Sequence, residues 1–194
     1  MTAAAFAAAD GASAVMPAVA SVTLPATAPV RIIPAPGAGG TDRASAARGM
    51  VGRFTRAFSY SGPSSYIVHV ESQALDGKNA YVDTDAPFAG LPVELVGADW
   101  VQAANRESLY NAVDLMEVSV VSGAVVSVAH DDRLPRPSWL TERFQPTPVR
   151  LTVAGRPMTV FQRRAARDES LTLGANADRQ AAPANMYVVF IQGE

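Results

Sequence analysis

The sequence contains no cysteine and only one lysine, Lys78, among its 194 residues. Without cysteine the chain forms no disulfide and has no thiolate for zinc binding or nucleophilic catalysis. The charges nearly balance, at 16 Lys plus Arg against 18 Asp plus Glu, and the basic residues are scattered. No nucleic-acid partner is expected, because proteins that bind nucleic acid concentrate positive charge on one surface.

Long apolar runs and the common catalytic motifs are also missing. Beyond the alanine-rich start, the apolar runs have the length of strands, so no membrane span is expected. There is no Gly-x-Ser-x-Gly elbow, no Gly-x-Gly-x-x-Gly and no phosphate loop. We therefore expect a protein that is not an enzyme, with a polysaccharide lyase or hydrolase as the less favoured alternative.

Residues 1–51 differ in composition from the rest of the chain. They are rich in alanine and proline and contain four consecutive small residues at 37–40. Proline fixes φ and removes a backbone donor, so this composition predicts an extended N-terminal arm or linker. Its valine and isoleucine residues also suit docking on a sheet edge of a neighbouring subunit. Ala18-Val19-Ala20 has the small-x-small pattern of a signal-peptidase site, although no basic residue precedes it.

Residues 52–194 alternate short apolar segments with turn residues. This pattern predicts an all-β fold, an antiparallel β-sandwich of the jelly-roll or immunoglobulin-like type. Residues 65–71 are predicted as an alternating strand, and 186–191 as a central strand buried on both faces. The clearest predicted hairpin joins 113–121 to 124–130 through Ser122-Gly123, and a second joins 150–153 to 157–162 through Ala154-Gly155.

Few side chains are candidates for chemistry. His130-Asp131-Asp132 places an imidazole beside two carboxylates, which suits metal binding or proton transfer. Adjacent strand residues point to opposite faces, however, so we favour a strand end whose carboxylates accept loop N–H groups or pair with Arg133. Asp83 and Asp85 have a spacing that offers two oxygens to calcium, although turn-forming aspartates are commoner. No other cofactor is expected.

Trp100 and Trp139 are the aromatic candidates for a sugar site, because exposed rings stack on sugar C–H faces. The alternation around Trp100 leaves its burial open. For Trp139, which follows Pro137-Ser138, we favour a loop that folds back to cap the sandwich. The predicted ligand-binding set comprises Trp139, Arg133, Asp131, Asp132 and Trp100.

Five sequence blocks occur in order between residues 80 and 190. They are Tyr81-Val82-Asp83-Thr84-Asp85 with Phe88 and Leu91-Pro92; Leu95-Val96-Gly97-Ala98-Asp99-Trp100-Val101-Gln102-Ala103-Ala104-Asn105; Val128-Ala129-His130-Asp131-Asp132-Arg133 with Pro137-Ser138-Trp139-Leu140; Leu171-Thr172-Leu173-Gly174-Ala175-Asn176; and Asn185-Met186-Tyr187-Val188-Val189-Phe190. In this order they resemble a β-sandwich accessory module appended to secreted bacterial polysaccharide-degrading enzymes, pectate-lyase-type proteins among them. The resemblance implies a non-catalytic extracellular or cell-surface module that aids attachment to polysaccharide.

Two functions compete at this point. The first is binding of polysaccharide or cell-surface glycan, or attachment to a surface. The second is a structural subunit of a self-assembling filament, coat or surface layer, a homo-oligomer in which the arm donates a strand to the next copy. An exposed Trp139 ring beside Arg133 would favour the sugar-binding function.

Overall fold

The computed structural model describes residues 51–178 and 183–193. The predicted arm therefore lies outside the described residues, except for Val51. In chain order the elements are β1 (Thr55–Tyr60), β2 (His69–Glu71), β3 (Phe88–Ala89), β4 (Asp99–Gln102), β5 (Met116–Val120), β6 (Val125–Asp131), α1 (Ser138–Arg143), β7 (Gln145–Val153), β8 (Arg156–Arg164), β9 (Glu169–Leu173) and β10 (Val188–Gln192). Two single-turn 3₁₀ helices lie at Val93–Leu95 and Asn105–Glu107.

These strands form the predicted antiparallel β-sandwich. The smaller sheet has the order β1-β5-β9, and the larger sheet has the order β2-β4-β10-β6-β8-β7-β3. Nearly every residue of β6 and β10 is buried, as expected at the centre of a sheet covered on both faces. Inward side chains of both sheets belong to one core, which includes Val118 and Leu171 of the smaller sheet and Val128 and Val160 of the larger.

The predicted hairpin at Ala154-Gly155 is confirmed. Val153 pairs with Arg156 across a two-residue turn that joins β7 to β8. Both turn residues have positive φ, 49° for Ala154 and 70° for Gly155. Two positive φ values give the turn that follows the natural twist of paired strands, and glycine takes the second of them without strain.

The predicted hairpin at Ser122-Gly123 is wrong. β5 pairs with β1 and β9 in the smaller sheet, whereas β6 pairs with β10 and β8 in the larger sheet. Gly123 does have a positive φ of 84°, so the tight turn exists, but it carries the chain from one sheet to the other. A strand, a glycine turn and a second strand give the same sequence pattern in a hairpin and in a passage between two sheets. Pairing with strands distant in sequence decides which of the two forms.

The two other strand predictions have different outcomes. The central strand predicted at 186–191 is confirmed as β10 (Val188–Gln192), which lies between β4 and β6. The strand predicted at 65–71 is reduced to His69–Glu71, since residues 62–67 form turns in which Ser65 N donates to the Gly62 carbonyl. Tyr66 is consequently 78% exposed instead of lying on a buried face.

Candidate functional site

The cluster at the end of β6 is structural. His130 is 1% exposed, and its Nε2 donates to the carbonyl of Asn176 at 2.8 Å. Burial lowers the pKa of His130, although the hydrogen bond to Asn176 and the charge of Asp131 act in the opposite direction. The imidazole is therefore a neutral, internally bonded group.

Asp131 is fully buried and accepts four hydrogen bonds. The donors are Arg133 N at 3.0 Å, Arg133 Nε at 2.9 Å, Arg133 Nη2 at 2.6 Å and Asn185 N at 2.9 Å. Burial alone would raise the pKa of Asp131, but these hydrogen bonds outweigh it and hold the pKa at about 2. This confirms the predicted strand end paired with Arg133. It also removes Asp131 from the predicted ligand-binding set, because its oxygens face the protein interior.

Asp132 and Arg133 lie at the surface but already have partners. Asp132 accepts from Arg150 Nη1 at 2.6 Å and from Thr159 Oγ1 at 2.5 Å, and so links the end of β6 to the β7–β8 hairpin. The Arg133 side chain is 45% exposed while it pairs with Asp131. Neither residue lines the groove that borders Trp139.

Trp100 does not belong to a binding surface. This corrects its inclusion in the predicted ligand-binding set. It is 1% exposed in β4, where Phe88 packs edge-on against its ring at 5.8 Å between centroids. Lys78 Nζ lies 5.2 Å from the centroid of the same ring. Because the core surrounds this indole, a sugar has no face of the ring on which to stack.

Trp139 is half-buried in α1 and caps the sandwich just beyond the end of β9, an edge strand of the smaller sheet. Its ring packs against Phe144 and Tyr187, at centroid distances of 6.1 and 5.3 Å. Its Nε1 donates to the carbonyl of Ala175 at 2.8 Å, just beyond the end of β9. The predicted capping role of this residue is confirmed, and the indole still keeps an exposed part.

The exposed part of Trp139 forms one wall of a groove of about 370 Å³. The turn before β5 contributes Asn111, Val113 and Asp114, and the segment after β9 contributes Asp178. Val113 is 94% exposed. The side chains of Asn111 and Asp114 are also exposed and make no hydrogen bond to another described residue.

Asp178 lines the groove and also stabilises α1. One of its oxygens accepts Ser138 N at 2.9 Å and therefore caps the start of α1. Sequence reasoning identified only Trp139 among the groove residues. Asp114 fell within the strand predicted at 113–121, and Asn111 lay just before it. The sequence gives no signal that brings 111–114 beside 174–178.

The calcium candidates lie elsewhere on the surface. Asp83 accepts Asn105 N at 2.7 Å and Arg106 N at 3.1 Å, so both of its oxygens cap a 3₁₀ helix. Asp85 is exposed. Within residues 51–178 and 183–193, no three His, Asp or Glu side chains gather as a metal-binding group. Calcium binding at Asp83 and Asp85 stays a prediction.

The fold and the groove place the described part of the chain among β-sandwich modules. No described helix combines the length and the apolarity that crossing a bilayer needs. No family model matches the sequence.

Two comparisons connect this module to a glycoside hydrolase. The chain is 32% identical over 139 residues, 71% of its length, to a beta-glucuronidase of Formosa agariphila, and it spans 14% of that protein. It also superposes on the structure of a beta-glucuronidase from glycoside hydrolase family 2 with a TM-score of 0.66 at 29% identity, over 70% of this chain and 14% of that one. The chain is thus homologous to a small part of a carbohydrate-active enzyme. A relation to pectate-lyase-type proteins stays a prediction.

Proposed function

We propose that the β-sandwich is a non-catalytic accessory module that binds carbohydrate in the groove beside Trp139, in an extracellular or cell-surface setting. The observation that carries the proposal is the groove, where a partly exposed indole stands next to free polar side chains. The homology to part of a beta-glucuronidase supports a carbohydrate ligand.

The groove offers the two kinds of contact that a sugar needs. The exposed parts of Trp139 and Val113 provide apolar surface for sugar C–H groups. The Asn111 amide both donates and accepts hydrogen bonds, and the Asp114 carboxylate accepts them from sugar hydroxyls. Because neither side chain is engaged with another described residue, a sugar replaces water at these groups and breaks no hydrogen bond between described residues.

The groove is a poor candidate for hydrolysis. Glycoside hydrolysis uses one carboxylic acid held in its protonated form and a second carboxylate. The two aspartates of the groove, Asp114 and Asp178, are both exposed, and Asp178 is occupied at the start of α1. This arrangement favours a module that holds a glycan without cleaving it.

Self-assembly by strand donation stays a prediction, since the arm before Val51 lies outside the described residues. Such assembly needs an open sheet edge. Tyr187 and Trp139 occupy carbonyl groups of the segment that continues β9, and β7 carries Pro146 and Pro148 where its outer side is not paired with β3. At these two places proline and occupied carbonyl groups oppose strand addition, and we prefer glycan binding.

The combined substitution Asn111→Ala and Asp114→Ala tests the groove. We expect retention on the bound polysaccharide to weaken at least about tenfold, or about 1.4 kcal/mol, at an unchanged melting temperature. Affinity electrophoresis against neutral and acidic polysaccharides measures the change. Asn79→Ala with Asp85→Ala is the matched control, because both residues are exposed and lie outside the groove.

Three outcomes would contradict the proposal. The first is that no polysaccharide retains the wild-type chain. The second is that the control variant weakens retention as much as the groove variant does. Release of reducing sugar from a retained polysaccharide by the wild-type chain would show that the module is catalytic.

A further inference from the structure

A second concavity lies where the chain leaves β8 and enters β9. Its volume is about 410 Å³, and it is lined by Arg163, Arg164, Ala166, Arg167 and Glu169. Three of these five residues are arginines. This concentration is unusual in a chain whose Lys and Arg are fewer than its Asp and Glu, 16 against 18.

The acidic residues nearby are already paired. Glu169 accepts from Arg163, with Nη2 at 2.9 Å from Oε2. Asp168 pairs with Arg56 at 2.6 Å, on the side of the smaller sheet. Arg167 is exposed and pairs with none of the described residues. The lining of the concavity thus holds three guanidinium groups and one carboxylate.

Arg143 adds to the positive charge of this corner. It belongs to α1, and one of its guanidinium nitrogens donates to the carbonyl of Thr172 in β9. Burial lowers the pKa of Arg143, and the neighbouring charge of Arg163 lowers it further. The charges of Arg143 and Arg163 thus influence each other, although Arg143 does not line the concavity itself.

The basic concavity continues into a second one on the outer face of the smaller sheet. This neighbour has a volume of about 340 Å³ and shares Glu169 with the first. Its lining includes Ser119 and Ser170, whose hydroxyl oxygens lie 2.6 Å apart across β5 and β9. Arg56 and its ion-pair partner Asp168 also border this floor. Arginines at one end and hydroxyl groups along the floor suit an extended polymer that carries both anionic groups and hydroxyls.

We infer that these two concavities, here named the arginine track, bind an acidic polysaccharide. Its carboxylate or sulfate groups contact Arg163, Arg164 and Arg167, and its hydroxyls contact Ser119 and Ser170. The planar guanidinium group matches both anions, because it donates two parallel hydrogen bonds to a pair of oxygens. The inference shares the carbohydrate class with the proposed function but rests on a separate site.

The test measures the polysaccharide affinity of the wild-type full chain and of two variants. One variant carries Arg167→Gln, and the other carries both Arg164→Gln and Arg167→Gln. The ligands are a polyuronate, a sulfated galactan and the neutral glucan laminarin, at low and high salt. Arg150→Gln is the control that removes the same charge, because Arg150 is exposed and lines neither concavity. Melting temperatures accompany every affinity.

We expect Arg167→Gln to weaken binding of an acidic polysaccharide about fivefold and the double variant to weaken it further, with a smaller salt dependence. Binding to the polyuronate alone identifies the anion as a carboxylate, and binding to the sulfated galactan alone identifies it as a sulfate. Equal acidic binding by the wild type and the double variant would overturn the inference, as would an equal loss in the Arg150→Gln control.

Binding at the Trp139 groove and binding at the arginine track can be tested independently. Substitution of Asn111 and Asp114 should leave binding at the arginine track unchanged, and substitution of Arg164 and Arg167 should leave neutral-glycan binding unchanged. A chain that binds only acidic polymers, through the arginines, would contradict the Trp139 groove and support the arginine track.

Discussion

At the scale of the residue, several carboxylates hold backbone in the structure, among them Asp83 and Asp131, which suggest function in the sequence. Asp131 accepts Asn185 N, Asp83 accepts Asn105 N, and Glu107 accepts Ser64 N at 2.6 Å. Hydrogen bonds from backbone N–H groups to a carboxylate are among the stronger ones in proteins. These acids therefore hold loops against strands, and His130 fills the interior beside them as a neutral group.

His130 should make the fold sensitive to mild acid. Its pKa lies below the ordinary value of 6.5 in the native state, so the unfolded chain binds a proton more readily. Above pH 6.5 the imidazole is neutral in both states and its contribution is constant. As the pH falls from 6.5 toward the lowered native pKa, the free energy of unfolding should fall by at most about 1.4 kcal/mol per pH unit.

Urea unfolding at pH 7.5 and pH 5.5 measures this slope. His130→Gln should flatten the slope, because glutamine does not titrate. The matched control is His69→Gln, whose side chain is 49% exposed in the wild type, and it should retain the His130-dependent loss. A wild-type slope that persists in His130→Gln would refute the assignment.

At the scale of the element, the short helix α1 closes the sandwich. Arg143 donates to the carbonyl of Thr172, Tyr187 Oη to that of Gly174 at 2.8 Å, and Trp139 Nε1 to that of Ala175. Side chains thereby occupy one carbonyl group within β9, that of Thr172, and two just beyond its end, those of Gly174 and Ala175. Helices or loops placed over a sheet edge in this way limit pairing with other chains.

Gly174→Ala should loosen this closure. A Cβ atom at residue 174 would lie 2.9 Å from Trp139 Cδ1 and 3.0 Å from the Val113 carbonyl oxygen. We expect a loss of about 1–3 kcal/mol in the free energy of unfolding, because the indole must shift.

A double-mutant cycle with Trp139→Phe checks the cause. The smaller ring leaves room for the methyl group, so the combined loss should be smaller than the sum of the single losses by about 1 kcal/mol. Strictly additive losses in urea unfolding would mean that Trp139 is not what the methyl group displaces.

At the scale of the whole molecule, one buried carboxylate joins the two sheets. Asp99 belongs to β4 of the larger sheet and accepts hydrogen bonds from Phe54 N at 2.6 Å and Thr55 N at 3.1 Å, where β1 of the smaller sheet begins. Ser72 Oγ, just after β2, donates to it at 2.6 Å. Gly52 permits this approach, since a Cβ atom there would clash with the Asp99 carboxylate.

Asp99→Asn should destabilise the whole sandwich by about 3 kcal/mol, because an amide nitrogen would replace an oxygen that faces several donors. Urea unfolding measures the loss, and hydrogen exchange should show β1 opening first. Asp85→Asn is the control at an exposed aspartate and should change stability by less than about 0.5 kcal/mol. A loss at Asp99 no larger than that of the control would show that the carboxylate does not join the sheets.

Local signals made part of the fold predictable. Ala154-Gly155 lies between two β-rich segments and predicts the β7–β8 hairpin, and the apolar run before residue 192 predicts the central position of β10. Ser122-Gly123 carries equally good signals and led to the wrong partner. A turn specifies a change of direction, whereas the choice between a hairpin and a passage to the other sheet depends on strands far away in sequence.

The sequence by itself determined the alternation of strands and turns, the exclusion of cysteine chemistry, and Trp139 as the residue to follow. Only the tertiary structure decided that Trp100 is enclosed while Trp139 keeps an exposed part. Burial is set by neighbours, and those neighbours come from distant segments: Phe88 and Lys78 cover Trp100. The turn before β5 and the segment after β9 instead border Trp139 and leave a groove between them.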